Sequence, residues 1–141
     1  WFTPYLNARL ISAPNRKVPH TLMNWEVYPE SIYQTIKKFD AYPGIKRIII
    51  TENGAAFEDK EHDRLISDQL RTAFLQDHIE QVLKARSEGA KLDGYFVWTW
   101  TDNFEWAEGY HPRFGLIYTN FQTQQRIVKE SGLWYGSFIR Q

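Results

Sequence analysis

The stretch Ile45-Lys46-Arg47-Ile48-Ile49-Ile50-Thr51-Glu52-Asn53-Gly54 opens with a β-branched run and breaks at once into a polar turn. Such a run is typical of strands buried on both faces of a parallel sheet, and Asn-Gly is strong turn chemistry. Glu52 therefore stands at the carboxyl end of a strand. Upstream, Pro29 suits a first helical turn, and Ile32, Tyr33, Ile36 and Phe39 follow at helical spacing to a stop near Asp40, before Tyr42-Pro43-Gly44. Further upstream, Trp1 to Tyr5 reads as the end of another buried strand. Leu6 to Asn24, broken by Pro14, Asn15 and Pro19, reads as a long loop. Downstream, Asp59 to Asp63 reads as a charged loop. Leu70, Phe74, Ile79, Val82 and Leu83 then predict a helix over Ser67 to Arg86, stopped by Gly89. Leu92 to Thr101 (LDGYFVWTWT) predicts a second fully buried strand, ending in the polar, aromatic loop Asp102 to Tyr110. Phe114–Tyr118 and Gln124–Val128 are expected to form a hairpin, and Ser131 to Ile139 a closing apolar helix. Strand, helix, strand, helix, strand, helix argues for an α/β fold with a parallel sheet. The polar clusters fall at strand carboxyl ends, where α/β barrels carry their active sites.

The chain has 141 residues, a length expected of a single domain. Its 17 basic and 17 acidic side chains cancel, so nothing electrostatic points to nucleic acid or an anionic membrane as partner. No apolar run approaches the ~20 residues that span a bilayer. Cysteine is absent, which removes disulfides and thiolate metal sites. The start lacks a charged segment followed by an apolar one, so the expected location is cytoplasmic. An opening at Trp1, inside an apolar strand-like segment, reads as a piece of a longer polypeptide. The 6 Trp, 8 Tyr and 9 Phe make up 16% of the residues, mostly core material by expectation. Six indoles nonetheless exceed what a core this small needs, and flat aromatic faces are also what sugar rings stack on.

Two constellations could carry chemistry. Glu52 is one, held at a sheet rim by a rigid strand, with a solvated turn glutamate as the plainer alternative. The other is Trp98, Asp102, Asn103, Glu105 and Trp106 in WTWTDNFEW. Strand alternation would put Trp98 and Trp100 on one face, and the loop adds two carboxylates, an amide and an indole. Carboxylates accept bidentate hydrogen bonds from vicinal hydroxyls while indole covers the apolar face of a pyranose, so the loop could form a sugar subsite. A capped, partly buried loop with satisfied polar groups is the plainer alternative. His20, His62, His78 and His111 have no metal-ligand spacing and read as surface or hydrogen-bonded loop residues. Neither a phosphate loop nor a nucleophile elbow is present.

ITENGAAFED (50–59) and GYFVWTWTDNFEWAEGYHPRFGLIY (94–118) closely resemble the family 1 glycoside hydrolases, the β-glucosidase family. NWEVYPESIY (24–33) and ESGLWYGSFI (130–139) resemble its flanking segments in order and spacing. The resemblance implies a (β/α)8 barrel that hydrolyses β-glycosides with retention and without metal or organic cofactor. It implies that Glu52 is the catalytic nucleophile. Trp98, Glu105 and Trp106 match the glycone subsite, with Glu105 holding O4 and O6. Trp25 matches an aglycone platform, and Phe114 an aromatic that closes the glycone pocket.

A retaining enzyme needs two carboxyl groups about 5 to 5.5 Å apart. The family's acid/base lies in a Thr-Phe/Leu-Asn-Glu-Pro motif that this sequence does not contain, and Phe2 stands where the family usually has tyrosine. Trp100 and Thr101 replace an aliphatic pair. The chain thus resembles the last part of the barrel, roughly strands six to eight, as one segment with no separate domains. Its expected partners are a β-glucoside or oligosaccharide and the missing N-terminal part of the barrel. A non-catalytic sugar-binding or structural half-barrel is the competing reading.

Overall fold

The computed structural model describes residues 2–3, 8–9, 17–62 and 65–141. Its centre is a parallel pair, β3 (Ile48–Asn53) with β6 (Leu92–Val97). Before it come β1 (Phe2–Thr3), antiparallel to β2 (Ala8–Arg9), and helix α1 (Glu30–Asp40). Trp1 and Tyr5 of the expected first strand lie outside the described residues, as does the side chain of Phe2. Because β1 pairs with β2, the parallel sheet holds two strands among the described residues, not three.

Between β3 and β6 the chain forms the hairpin β4 (Lys60–His62) and β5 (Leu65–Ser67), then α2 (Gln69–Ser87). The segment expected to be a charged loop is thus partly a strand, because backbone pairing does not require the alternation that reveals a half-buried strand in sequence. A 3-10 turn at Trp106–Glu108 follows β6. The hairpin β7 (Ile117–Thr119) with β8 (Arg126–Val128) and helix α3 (Glu130–Phe138) complete the order. The expected first hairpin strand is shortened, since Leu116 N–H donates to Thr99 O and Ile117 N–H to Trp100 O instead.

The helices cover one face of the pair. At one end Ile36, Val82, Ala85, Ala90 and Leu92 pack together with Ile48 and Ile50. At the other, below the carboxyl ends of the strands, Ala55, Phe57, Phe74, Leu75, Ile79 and Leu116 pack with Val97, Trp134 and Phe138. The opposite face leaves Ile49 47% and Phe96 60% exposed. The expectation of strands buried on both faces therefore fails, because no second layer covers that side among the described residues.

Helix α2 also turns a different stripe inward than predicted. Arg71, Phe74, Leu75, His78, Ile79, Val82 and Ala85 are buried, whereas Leu70 and Leu83 face solvent. A buried arginine breaks the apolar pattern there. The helix ends as expected: Gly89 lies at φ +91°, a conformation glycine enters without steric penalty. At the end of α1, Asp40 Oδ1 accepts the Lys91 backbone N–H (3.0 Å) and Nζ (3.1 Å), fastening α1 to the start of β6. These bonds hold the Asp40 carboxyl below its ordinary pKa.

Candidate active site

Strand β3 delivers Glu52 one residue before its end. Ile50 pairs with Tyr95 and Asn53 with Val97, so β3 carries one extra residue at Thr51–Glu52. Such a bulge re-aims side chains at a strand end. Asn53 anchors the turn beyond it: its Oδ1 accepts Tyr95 O–H (2.8 Å) and its carbonyl accepts Trp98 N–H (2.9 Å). Gly54 then passes so close that a Cβ would sit 1.6 Å from Trp98 O. Glycine is required here by the approach of two strand ends. Burial holds the Tyr95 phenol well above its ordinary pKa, so it donates to Asn53 across the neutral range.

The β6 strand stops at Val97, so the alternation expected for Trp98 to Thr101 does not apply. The Trp98–Thr99 peptide is cis. Trp98 turns into the site half-buried, while Trp100 is 71% exposed. Thr99, Trp100 and Asp102 bond to Phe114, Leu116 and Ile117, which holds Phe114 fully buried beside Trp98. Trp25 comes from a turn in which Thr21 Oγ1 accepts Met23 N–H (3.2 Å) and Trp25 N–H (3.3 Å). Leu22 N–H donates to Ala56 O (3.0 Å), tying that turn to the chain beyond Glu52. The Trp25 and Phe114 rings lie 6.0 Å apart.

One cavity of about 560 Å³ joins these groups. Trp25, Glu52, Trp98, Glu105, Trp106 and Phe114 all line it. Sequence reasoning did not anticipate Thr21, Glu26, Asn53, Gly54, Phe74 and His78 in the same wall. His78 lies on α2, buried, with Nδ1 against Phe74 O at 2.7 Å and its ring stacked on Phe74 at 3.8 Å. A carbonyl only accepts, so Nδ1 carries the proton. Burial depresses the His78 pKa and keeps the ring neutral. The spacing of Phe74, His78 and Val82, four residues apart on one helix, is the signal that could have placed it. Glu105 Oε2 is buried with no hydrogen-bond partner among the described residues. An unpartnered carboxylate oxygen on a cavity wall is a ready acceptor for hydroxyl groups.

Asp102 does not join this site. It is almost wholly buried, and Oδ1 accepts Gly115 N–H (2.9 Å) and Lys129 Nζ (2.9 Å), while Oδ2 accepts Arg113 Nη1 (3.2 Å) and Thr119 N–H (3.2 Å). For Asp102 the plainer alternative, a satisfied polar group in a capped loop, is the correct one. Among the described residues no three His, Cys, Asp or Glu side chains converge as metal ligands.

The profile of glycosyl hydrolase family 1 matches residues 4–141. The chain belongs to glycosyl hydrolase family 1. Among its relatives, β-glucosidase A of Thermotoga maritima is 48% identical over 131 residues, 92% of this chain and 29% of that protein. The 1,4-β-D-glucan glucohydrolase of Thermotoga neapolitana is 47% identical over 92% of this chain and 30% of its own length. A 6-phospho-β-galactosidase of Streptococcus equi subsp. zooepidemicus is 42% identical over 84% of this chain and 25% of its own. The fold superposes on the family 1 β-glucosidase of T. maritima with TM-score 0.87, at 48% identity, over 90% of this chain and 29% of that one. This family 1 segment therefore spans less than a third of the relatives' length and is one part of their barrel. That T. maritima enzyme has also been solved with isofagomine lactam and with galacto-hydroximolactam.

Proposed function

We propose that this segment supplies the nucleophile and part of the sugar-binding surface of a retaining β-glucosidase, corresponding to roughly strands six to eight of the barrel. The observation that carries the reading is the single cavity holding Glu52 and Glu105 among Trp25, Trp98, Trp106 and Phe114. Glu52 attacks the anomeric carbon as the bond to the leaving group breaks, giving a covalent glycosyl-enzyme. A carboxylic acid from the rest of the barrel protonates the departing oxygen, then takes a proton from the water that releases the sugar. Glu105 accepts glycone hydroxyls, Trp98 and Trp106 stack against the ring, Phe114 closes the pocket, and Trp25 meets the aglycone.

Among the described lining residues Glu26, Glu52 and Glu105 are acidic and none is lysine or arginine. Glu52 and Glu105 on this wall would repel a phosphate and so favour a neutral glycone over a sugar phosphate.

The test is a completed barrel, in which this segment replaces its counterpart in the T. maritima β-glucosidase A. A 2-deoxy-2-fluoroglucoside with a good leaving group should label Glu52 alone, as read by peptide mass. Glu52→Gln should abolish labelling and lower turnover by several orders of magnitude with the fold retained. Labelling at Glu58 or Glu105 would refute the assignment. Sugar binding with no labelling would favour the non-catalytic half-barrel.

A further inference from the structure

Behind the cavity three carboxylates meet three cations. Asp59, Asp68 and Asp102 are paired with Arg71, Arg113 and Lys129. Lys129 stands at the middle of this cluster, at the start of α3, with no solvent exposure. Its Nζ lies 2.7 Å from Asp59 Oδ2 and 2.9 Å from Asp102 Oδ1. Its backbone N–H donates to Leu116 O at 2.9 Å. The two carboxylates belong to different walls of the site. Asp59 ends the run Glu52 to Asp59 that leaves β3, and Asp102 begins the run that carries Glu105 and Trp106 three and four residues on. Asp102 also holds Gly115, the residue after Phe114.

Nζ donates a hydrogen bond to Asp102 Oδ1 and holds Asp59 Oδ2 as an ion pair, and burial leaves both contacts unscreened by water. We infer that Lys129 is a positioning residue for the reaction proposed above, fixing Glu52 relative to Glu105 by bridging Asp59 to Asp102. It touches neither substrate nor reacting atoms. The inference rests on the catalytic reading of Glu52. A displacement of about 1 Å at a reacting group can cost about 10²-fold in rate, so loosening the tie should be read in turnover.

The experiment uses the completed barrel. Lys129→Met keeps the length of the side chain and removes its charge. Asp59→Asn combined with Lys129→Met keeps the cluster neutral and leaves Asp102 its bonds from Arg113, Gly115 and Thr119. Competent sites are counted by the final amount of fluoroglucoside label, so that kcat is expressed per folded site. The expected result is a fall of about 10- to 100-fold in kcat per labelled site, with KM moving far less. A merely structural role would lower Tm and leave kcat per site at the parental value, which would overturn the inference. A parent that labels while neither variant yields any labelled site would overturn it too, because the tie would then serve folding. A parent that never labels removes the catalytic reading, and this inference with it.

Discussion

At the scale of single residues, Glu105 and Trp25 stand on opposite sides of one chemistry. Glu105 offers a buried oxygen with no hydrogen-bond partner among the described residues, and Trp25 an exposed ring set against Phe114. Charge-assisted hydrogen bonds contribute about 1.5–3 kcal/mol, so Glu105→Ala in the completed barrel should lower kcat/KM for an aryl β-glucoside by about 10- to 100-fold. Trp25→Ala should instead change the ranking of aglycones at constant glycone, and a shared loss across all aglycones would count against its role. His78 gives a pH prediction. Its folded pKa lies below the ordinary value of 6.5, so the unfolded chain takes up the proton first. The stability contributed by neutral His78 is fully present above pH 6.5 and is lost as pH falls below it. Tm of the parent should therefore drop between pH 7 and 5.5 more steeply than Tm of His78→Phe, and parallel slopes would refute this. That Glu52 and Glu105 stand near strand carboxyl ends, where the structure gives them one cavity, could be read from sequence because each sits in a short polar segment beyond an apolar run. Asp102 was not separable from Glu105, since both are acids of one loop. Its burial is decided by Arg113 and Lys129, 11 and 27 residues away, which local pattern does not reveal.

At the scale of elements, the site depends on how closely the ends of β3 and β6 approach. Gly54→Ala would drive a methyl into the Trp98 carbonyl and should destabilise by about 3 kcal/mol or more. Gly44, in the turn after α1, has open space around its Cβ direction but lies at φ +91°. Gly44→Ala should therefore cost only about 1–2 kcal/mol, the strain of a left-handed alanine. Denaturant midpoints for the two variants should separate clearly, and equal losses would mean that the β3–β6 approach is not rigid. Helices α1, α2 and α3 could be read from spacing and stop signals, which are local. The inward face of α2 could not, because Arg71 is buried by ion pairs with Asp59 and Asp68 that lie outside the helix. Hairpin β4–β5 was missed for the complementary reason: a short charged strand has no apolar period to betray it.

At the scale of the whole molecule, the parallel pair is open. Neither β3 nor β6 has a second parallel neighbour among the described residues, Ile49 and Phe96 turn apolar surface outward on the uncovered side, and Trp100 beyond β6 is exposed as well. Open edges and exposed apolar faces favour association with another chain. A barrel of eight strands closes only when tilt and stagger are satisfied around the ring, which two strands cannot do. The cavity presents Glu52 but needs a second carboxyl group about 5 to 5.5 Å from it for retaining hydrolysis. The expected outcome is that the 141-residue chain alone does not hydrolyse an aryl β-glucoside and self-associates in sedimentation. Mixed with the remaining N-terminal part of the T. maritima β-glucosidase A, it should pair its open edges, cover Ile49 and Phe96, and become active. Glu52→Gln in the short chain should then abolish the restored activity without preventing association, which separates docking from chemistry. Full hydrolysis by the purified chain, with no companion detected by mass spectrometry, would refute this account of its incompleteness. Association that restores no activity would show that the edges pair while the two carboxyl groups fail to meet.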